Sequence, residues 1–198
     1  MNLIDFLLGK KKIVIILLVL MPCSVQAFQR YQRVVKFDGY FSKYSKRYFG
    51  PNFNWIYFKA QAIAESRLKA DAKSKVGAAG VMQIMPKTFE EIKRKNPIIK
   101  GTRLQPRWNI AAGIYYDRLL WKTWKAERPL SDRIRFMFGS YNAGKGNILK
   151  AQRFAKKKGL DPNLWKSIEP TLPAVTGHHS KETIHYVEKI DHIKGVLR

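Results

Sequence analysis

Apolar residues recur at helical spacing along most of this chain, and no stretch of strict alternation marks a half-buried strand. From Asn54 to Leu68 the residues Trp55, Phe58, Ala62 and Leu68 predict a helix with Asn54 as its N-cap. A second helix is predicted from Pro86, a good first helical residue, through Lys87 to Lys95, where Asn96-Pro97 ends it; residues 100–106 then read as a loop. Trp108 to Glu127 predicts a long helix, with Ala111, Ala112 and Gly113 allowing close helix contact and Ile110, Ile114, Leu120 and Trp124 supplying bulk. Ser131-Asp132 opens another that runs through Phe138 to Tyr141-Asn142 and breaks at Ala143-Gly144-Lys145-Gly146. Helices over 147–158 and from Ser180, as a cap, to Lys194 follow, with the two-proline stretch 170–177 read as a loop between them.

The N-terminal third carries two further patterns. Over 28–50, Phe37, Tyr40, Phe41, Tyr44 and Tyr48 keep helical spacing among many Lys and Arg residues, and Gly50-Pro51 ends the run. This predicts a basic, aromatic helix packed on the domain, with a carbohydrate or envelope contact as the competing reading. Ahead of it, Lys10, Lys11 and Lys12 precede an apolar run from Ile13 to Met21, and Val25-Gln26-Ala27 fits a cleavage site, so residues 1–27 read as a secretory signal. An uncleaved anchor is disfavoured because a spanning helix needs about 20 apolar residues. Cys23, the single cysteine, lies inside this segment, and Pro22 argues against its lipidation. Three parts follow: the signal over 1–27, the basic helix over 28–50 and one domain over 51–198.

Charge changes the picture of the partners. The chain has 38 Lys and Arg against 14 acids, a formal net charge of +24. For an exported protein this favours anionic envelope surfaces over nucleic acid. His178, His179, His185 and His192 invite a metal reading, which is set aside because no cysteine, His-Glu-x-x-His pattern or acidic cluster accompanies them.

Candidate chemistry concentrates between Gln61 and Phe89. On the first predicted helix Phe58, Gln61, Ala62 and Glu65 share a face. Glu65 therefore leaves an apolar face near the negative end of the helix dipole, and both effects favour its neutral form. A raised pKa suits a general acid, although a single glutamate on a helix is most often a solvated surface residue. Beyond it, Gly77-Ala78-Ala79-Gly80 makes a loop poor in side chains, where backbone can approach a ligand.

Glu65-Ser66 followed by Gly77-Ala78-Ala79-Gly80-Val81-Met82-Gln83-Ile84-Met85-Pro86 resembles the first two motifs of the soluble lytic transglycosylases, members of the lysozyme-like superfamily. Ser140-Tyr141-Asn142-Ala143-Gly144 is similar to that family's Ala-Tyr-Asn motif, and Glu182-Thr183-Ile184-His185-Tyr186-Val187 to its last motif. Val81 stands where Leu is usual and Ser140 where Ala is usual. On local sequence the Tyr-Asn pair before glycine serves equally as a helix C-cap. Asn109 and Gly113 also match residues common in the family, and neither is given a chemical role here.

The resemblance implies a mainly α, two-lobed, lysozyme-like domain with a substrate cleft and at most a small β hairpin. It implies that Glu65 protonates the glycosidic oxygen between N-acetylmuramic acid and N-acetylglucosamine in peptidoglycan, then acts as base while the 6-hydroxyl closes a 1,6-anhydro ring. Ser66, Met82, Gln83, Tyr141, Asn142 and Tyr186 are the implied substrate contacts, with Tyr186 orienting Glu65, and no metal or cofactor is implied. Asp71 is the only acid between Glu65 and Gln83 and is expected to be solvated. A lysozyme-type hydrolase and a non-catalytic basic envelope-binding protein remain as alternatives.

Overall fold

A computed structural model describes residues 27–197, so the proposed signal up to Gln26, Cys23 included, lies outside the described residues. A 3-10 turn at Arg30–Arg33 precedes nine helices among these residues: α1 (Asp38–Phe49), α2 (Ile56–Ser66), α3 (Pro86–Lys95), α4 (Pro106–Trp121), α5 (Leu130–Ala143), α6 (Lys145–Lys157), α7 (Trp165–Ile168), α8 (Pro173–Thr176) and α9 (His179–Val196). No strand forms among them; the pairing is limited to isolated antiparallel bridges, Lys73 with Ala79 and Ala79 with Ile84.

Helix α2 is the centre of the molecule. Phe58, Ala60, Ala62 and Ile63 are fully buried, and α9 packs along α2 and α5 while α1 lies on α4. The N-cap is Trp55, not the expected Asn54, which lies one residue ahead and accepts a hydrogen bond from the Ile56 N–H at 3.0 Å. Lys59, almost wholly buried, is paired with Asp38 at 2.9 Å and ties α2 to α1. Phe49, Phe53, Phe58 and Trp121 form an aromatic cluster with centroids 4.5–5.8 Å apart. Two glycines permit close approach at α4 and α5. A Cβ on Gly113 would sit 2.8 Å from the Met82 side chain, and one on Gly139 would collide with the Trp165 ring.

Several sequence expectations need correction. The helix expected over 28–50 covers only Asp38–Phe49, because the 3-10 turn ends at Arg33 and Val34 is extended. The long helix expected to reach Glu127 stops at Trp121. Turns through Lys122 to Trp124 swing the Trp124 ring inward against Phe136, centroids 4.9 Å apart, while 125–127 stay exposed. The break after α5 is the single residue Gly144, at φ +86°, and Gly146 is inside α6. Ser180 caps nothing: it is the second residue of α9, and its hydroxyl donates to the Gly177 carbonyl at 2.7 Å. The expected loop at 170–177 is a 3-10 turn, Glu169–Thr171, followed by α8, and α7 was not foreseen. Asp132, expected to open α5 as a capping residue, instead accepts from the Trp165 N–H at 2.6 Å and anchors α7.

Candidate active site

Glu65 stands on the last turn of α2, and the chain leaves that helix by an unusual route. Arg67 and Leu68 both take left-handed geometry, at φ 56° and 61°. Each costs roughly 1–2 kcal/mol for a non-glycine residue. Burial of Leu68 and a bond from the Arg67 N–H to the Ile63 carbonyl hold the turn. The residues that follow fold back as the glycine-rich loop, so Ser66, next to Glu65, meets that loop through its hydroxyl and the Val81 carbonyl.

Groups from α9 and α5 meet near the carboxyl group. From α9, the Tyr186 hydroxyl donates to Glu65 Oε1 at 2.5 Å. Lys189, one turn further on, donates from Nζ to the Ala64 carbonyl at 3.3 Å. From α5, the Tyr141 hydroxyl donates to the Met82 carbonyl at 2.7 Å, and its ring stacks edge-on against Tyr116 of α4. Burial raises the Glu65 pKa to about 7; the bond from Tyr186 and the charge of Lys189 pull it down, and the charge of Glu182 adds a smaller upward push. Desolvation is the largest effect, and the opposing cation Lys189 is itself partly desolvated. A carboxyl group half protonated near neutrality can both give and take a proton.

The glycine-rich loop is built from the inside by Asn109. This fully buried side chain accepts from the Met82 N–H at 2.6 Å and donates to the carbonyls of Ala79 at 2.9 Å and Arg103 at 2.7 Å. Gly80, at φ +80°, faces it so closely that any Cβ would overlap the Asn109 amide. Arg103 donates to the Gly77 carbonyl at 2.6 Å.

Of the residues expected to touch substrate, Ser66, Met82, Gln83 and Tyr141 lie on or against this loop, while Tyr186 reaches Glu65 and Asn142 lies beside Thr183. Ser66 is buried, with its hydroxyl against the Val81 carbonyl at 2.8 Å, and Met82 is fully buried against Gly113. In this structure both side chains pack behind the loop. Gln83, left-handed at φ 45°, donates from Nε2 to the carbonyls of Ala72 and Gly80, so the donor role expected of its amide is already committed to the loop. Tyr141 and Tyr186 face Glu65 as described. Asn142 accepts from the Thr183 hydroxyl at 2.8 Å and lines a cavity of about 310 Å³ with Asn147, His179 and Glu182. The cap at this helix end is Gly144, which leaves Asn142 free for the cavity side. Asp71 is exposed.

One amide and one acid of this region carry no role in the sequence analysis: Asn109 is named there without one, and Asp117 does not figure in it. Yet Asp117 falls three residues after Ile114 on the stripe that Ile110 begins, so an acid on the core face was visible in the spacing. Among the described residues no cluster of three or more His, Cys, Asp or Glu side chains is placed to hold a metal ion.

Comparisons with known proteins bear on the family and the fold. A family model described as the transglycosylase SLT domain matches residues 40–163. The membrane-bound lytic murein transglycosylase F of Shewanella pealeana is 27% identical over 169 residues, 80% of this chain and 33% of that protein. Its namesake in Desulfosudis oleivorans is 29% identical over 171 residues, 81% of this chain and 36% of the relative. This chain thus spans about a third of the length of these curated relatives. Among solved structures, the 70 kDa soluble lytic transglycosylase of Escherichia coli superposes with a TM-score of 0.61 at 26% identity, covering 83% of this chain and 24% of the other. The lytic transglycosylase Slt of Pseudomonas aeruginosa gives 0.63 at 22% identity over 82% of this chain and 24% of that one, a likeness of fold alone. The mainly helical, lysozyme-like fold expected from the motifs is the fold found.

Proposed function

The chain belongs to the transglycosylase SLT domain family, and from that premise we propose that it is a lytic transglycosylase that cuts the β-1,4 bond between N-acetylmuramic acid and N-acetylglucosamine in peptidoglycan. The observation that carries this reading is the Glu65 carboxyl group at the end of α2, held by the Tyr186 hydroxyl of α9, with its pKa near 7. Protonated Glu65 donates to the leaving oxygen. The resulting carboxylate then accepts the proton of the muramic acid 6-hydroxyl as that oxygen closes on the anomeric carbon, and a 1,6-anhydro end is left. Glycosidases that use two carboxylates place them on either side of the bond, about 5–10 Å apart. Asp71, the one acid in the intervening sequence, is exposed on the loop and is not among the groups that act on Glu65.

Asn142 and the cavity beside it supply a polar surface for the glycan strand, and Tyr141 supplies a ring face. Site roles for Ser66, Met82 and Gln83 are indirect in this proposal: they fix the loop against which the strand lies. The names of the relatives and the leader-like residues 1–27 support a place in the cell envelope, exported to the periplasmic side, where the net charge of +24 favours anionic surfaces. No helix among the described residues is long and apolar enough to cross a membrane.

The experiment is a pH profile. The acid must carry its proton when substrate binds, so the rate of muropeptide release should fall about tenfold per unit above pH 7. Tyr186→Phe removes the bond that lowers the Glu65 pKa, so the same limb should move to higher pH while the rate on its plateau drops. A limb that stays in place in Tyr186→Phe, or no limb between about pH 6 and 8, contradicts the assignment of Glu65 as the titrating acid.

A further inference from the structure

One turn before Glu65 on α2, Gln61 is wholly buried, and across from it on α4 Asp117 is wholly buried too. Gln61 Nε2 donates to Asp117 Oδ1 at 3.3 Å. The other two polar oxygens of this pair, Gln61 Oε1 and Asp117 Oδ2, have no hydrogen-bond partner. Both are acceptors when Asp117 is ionised, so neither can satisfy the other. One added proton removes the difficulty: a carboxylic acid O–H on the Oδ2 side is the donor that Gln61 Oε1 lacks, and acid and amide then form a reciprocal pair. Among the described residues no cation pairs with Asp117.

We propose that Gln61 and Asp117 form a buried acid–amide pair in which Asp117 keeps its proton while Glu65 titrates, and that this pair positions Glu65 by locking α2 to α4. The proposal rests on the reading of Glu65 as the acid of the site. Burial supports it, pushing the Asp117 carboxyl well above its usual range, with the Gln61 bond opposing and the charge of Glu65 adding to the push. Other groups facing the pair act in the same sense or are neutral partners. Tyr116 on α4 and Tyr141 on α5 are tyrosines whose own ionisation is suppressed by burial, as is Tyr186 on α9. Lys189 and Glu182 on α9 act on Glu65, Arg67 acts on Lys189, and Glu91 on α3 acts on Tyr116. Apolar residues at both positions together would be buried without the cost of desolvating polar atoms, so the pair is a poor choice for stability alone. Asp117 is a positioning residue and is not placed in contact with substrate.

The test separates charge from position. The side-chain carboxyl carbons of Asp117 and Glu65 are followed by 13C NMR from about pH 4 to about pH 9 in the wild-type protein and in Asp117→Asn. Asn keeps both hydrogen bonds of the pair and removes only the capacity to ionise. The proposal expects the Asp117 signal to stay protonated until Glu65 has titrated, and the Glu65 midpoint to remain near 7 in Asp117→Asn. An Asp117 signal that ionises first, or a Glu65 midpoint lowered by about a unit or more in the variant, means that Asp117 carries charge, and overturns the proposal. Position is tested by Asp117→Leu, expected to lower kcat about tenfold with KM unchanged. Gln61→Met breaks the same pair from the other side if the first variant does not fold. Unchanged kcat in a folded variant overturns the positioning role. A wild-type protein that shows the expected titrations yet releases no muropeptides defeats the transglycosylase reading and leaves the acid–amide pair intact.

Discussion

Glu65→Gln should reduce muropeptide release by a factor of about a hundred to ten thousand, the range that one positioned proton donor supplies. Glutamine keeps the size of the side chain and can still accept from Tyr186 through its amide oxygen, but it has no acidic proton for the leaving oxygen. Sedimentation with purified sacculi should show binding retained. The same variant should gain stability at alkaline pH. The folded-state pKa of Glu65, about 7, lies above its ordinary value of 4.5, so the folded protein holds more protons than the unfolded chain between these values. Its contribution to stability is full below about pH 4.5 and is lost as pH rises through 7, by at most about 3 kcal/mol and less to the extent that the half-buried carboxyl keeps contact with water. Thermal melts of the two proteins should coincide near pH 4, and the Gln variant should melt several degrees higher near pH 8. Equal melting at both pH values, with activity retained, would remove Glu65 from the site.

Asn109→Ala should be among the most damaging single changes to the fold. It leaves the Met82 N–H and the carbonyls of Ala79 and Arg103 without the partner that now binds all three. Each buried group left unpaired costs about 1–3 kcal/mol, and part of that is recovered where water enters, so a loss of about 3–5 kcal/mol is expected. For a domain of this size that corresponds to a fall in Tm of roughly 10 °C. Activity should fall as well, since the Met82 carbonyl that Asn109 steadies is the acceptor for Tyr141. Asn109→Asp keeps the acceptor for Met82 but loses both donors and buries a charge, so it should not rescue the fold. A Tm within about 2 °C of wild type in Asn109→Ala would show that the loop holds its shape without this residue.

The sequence made the helical scaffold readable where one face is apolar and the ends carry strong signals. Pro86 and Asn96-Pro97 bracket α3 almost to the residue, and Asn54 marks the entrance to α2. It failed where tertiary packing overrode local preference. The stretch after Trp121 has helix-compatible residues, and only the burial of Trp124 against Phe136 explains why the chain turns there. The left-handed turn at Arg67-Leu68 has no glycine to announce it. At the site, Glu65 and Tyr186 were named from their motifs, and the structure brings them within a hydrogen bond although 121 residues separate them. Roles were harder than positions. Ser66, Met82 and Gln83 belong to the expected motifs, but their side chains are turned into the loop, which only the burial and bonding of this fold reveal. Asp117 could be placed on the core face by its spacing, while its pairing with Gln61 depends on the crossing of α4 and α2.

The most direct test is the mass of what the purified protein releases from peptidoglycan. A single carboxyl group that first gives and then takes back a proton, with the muramic acid 6-hydroxyl as nucleophile, predicts muropeptides one water lighter than hydrolysis products and without a reducible end. Muropeptides of full hydrolysed mass that accept borohydride would show that water is the nucleophile, and would contradict the account.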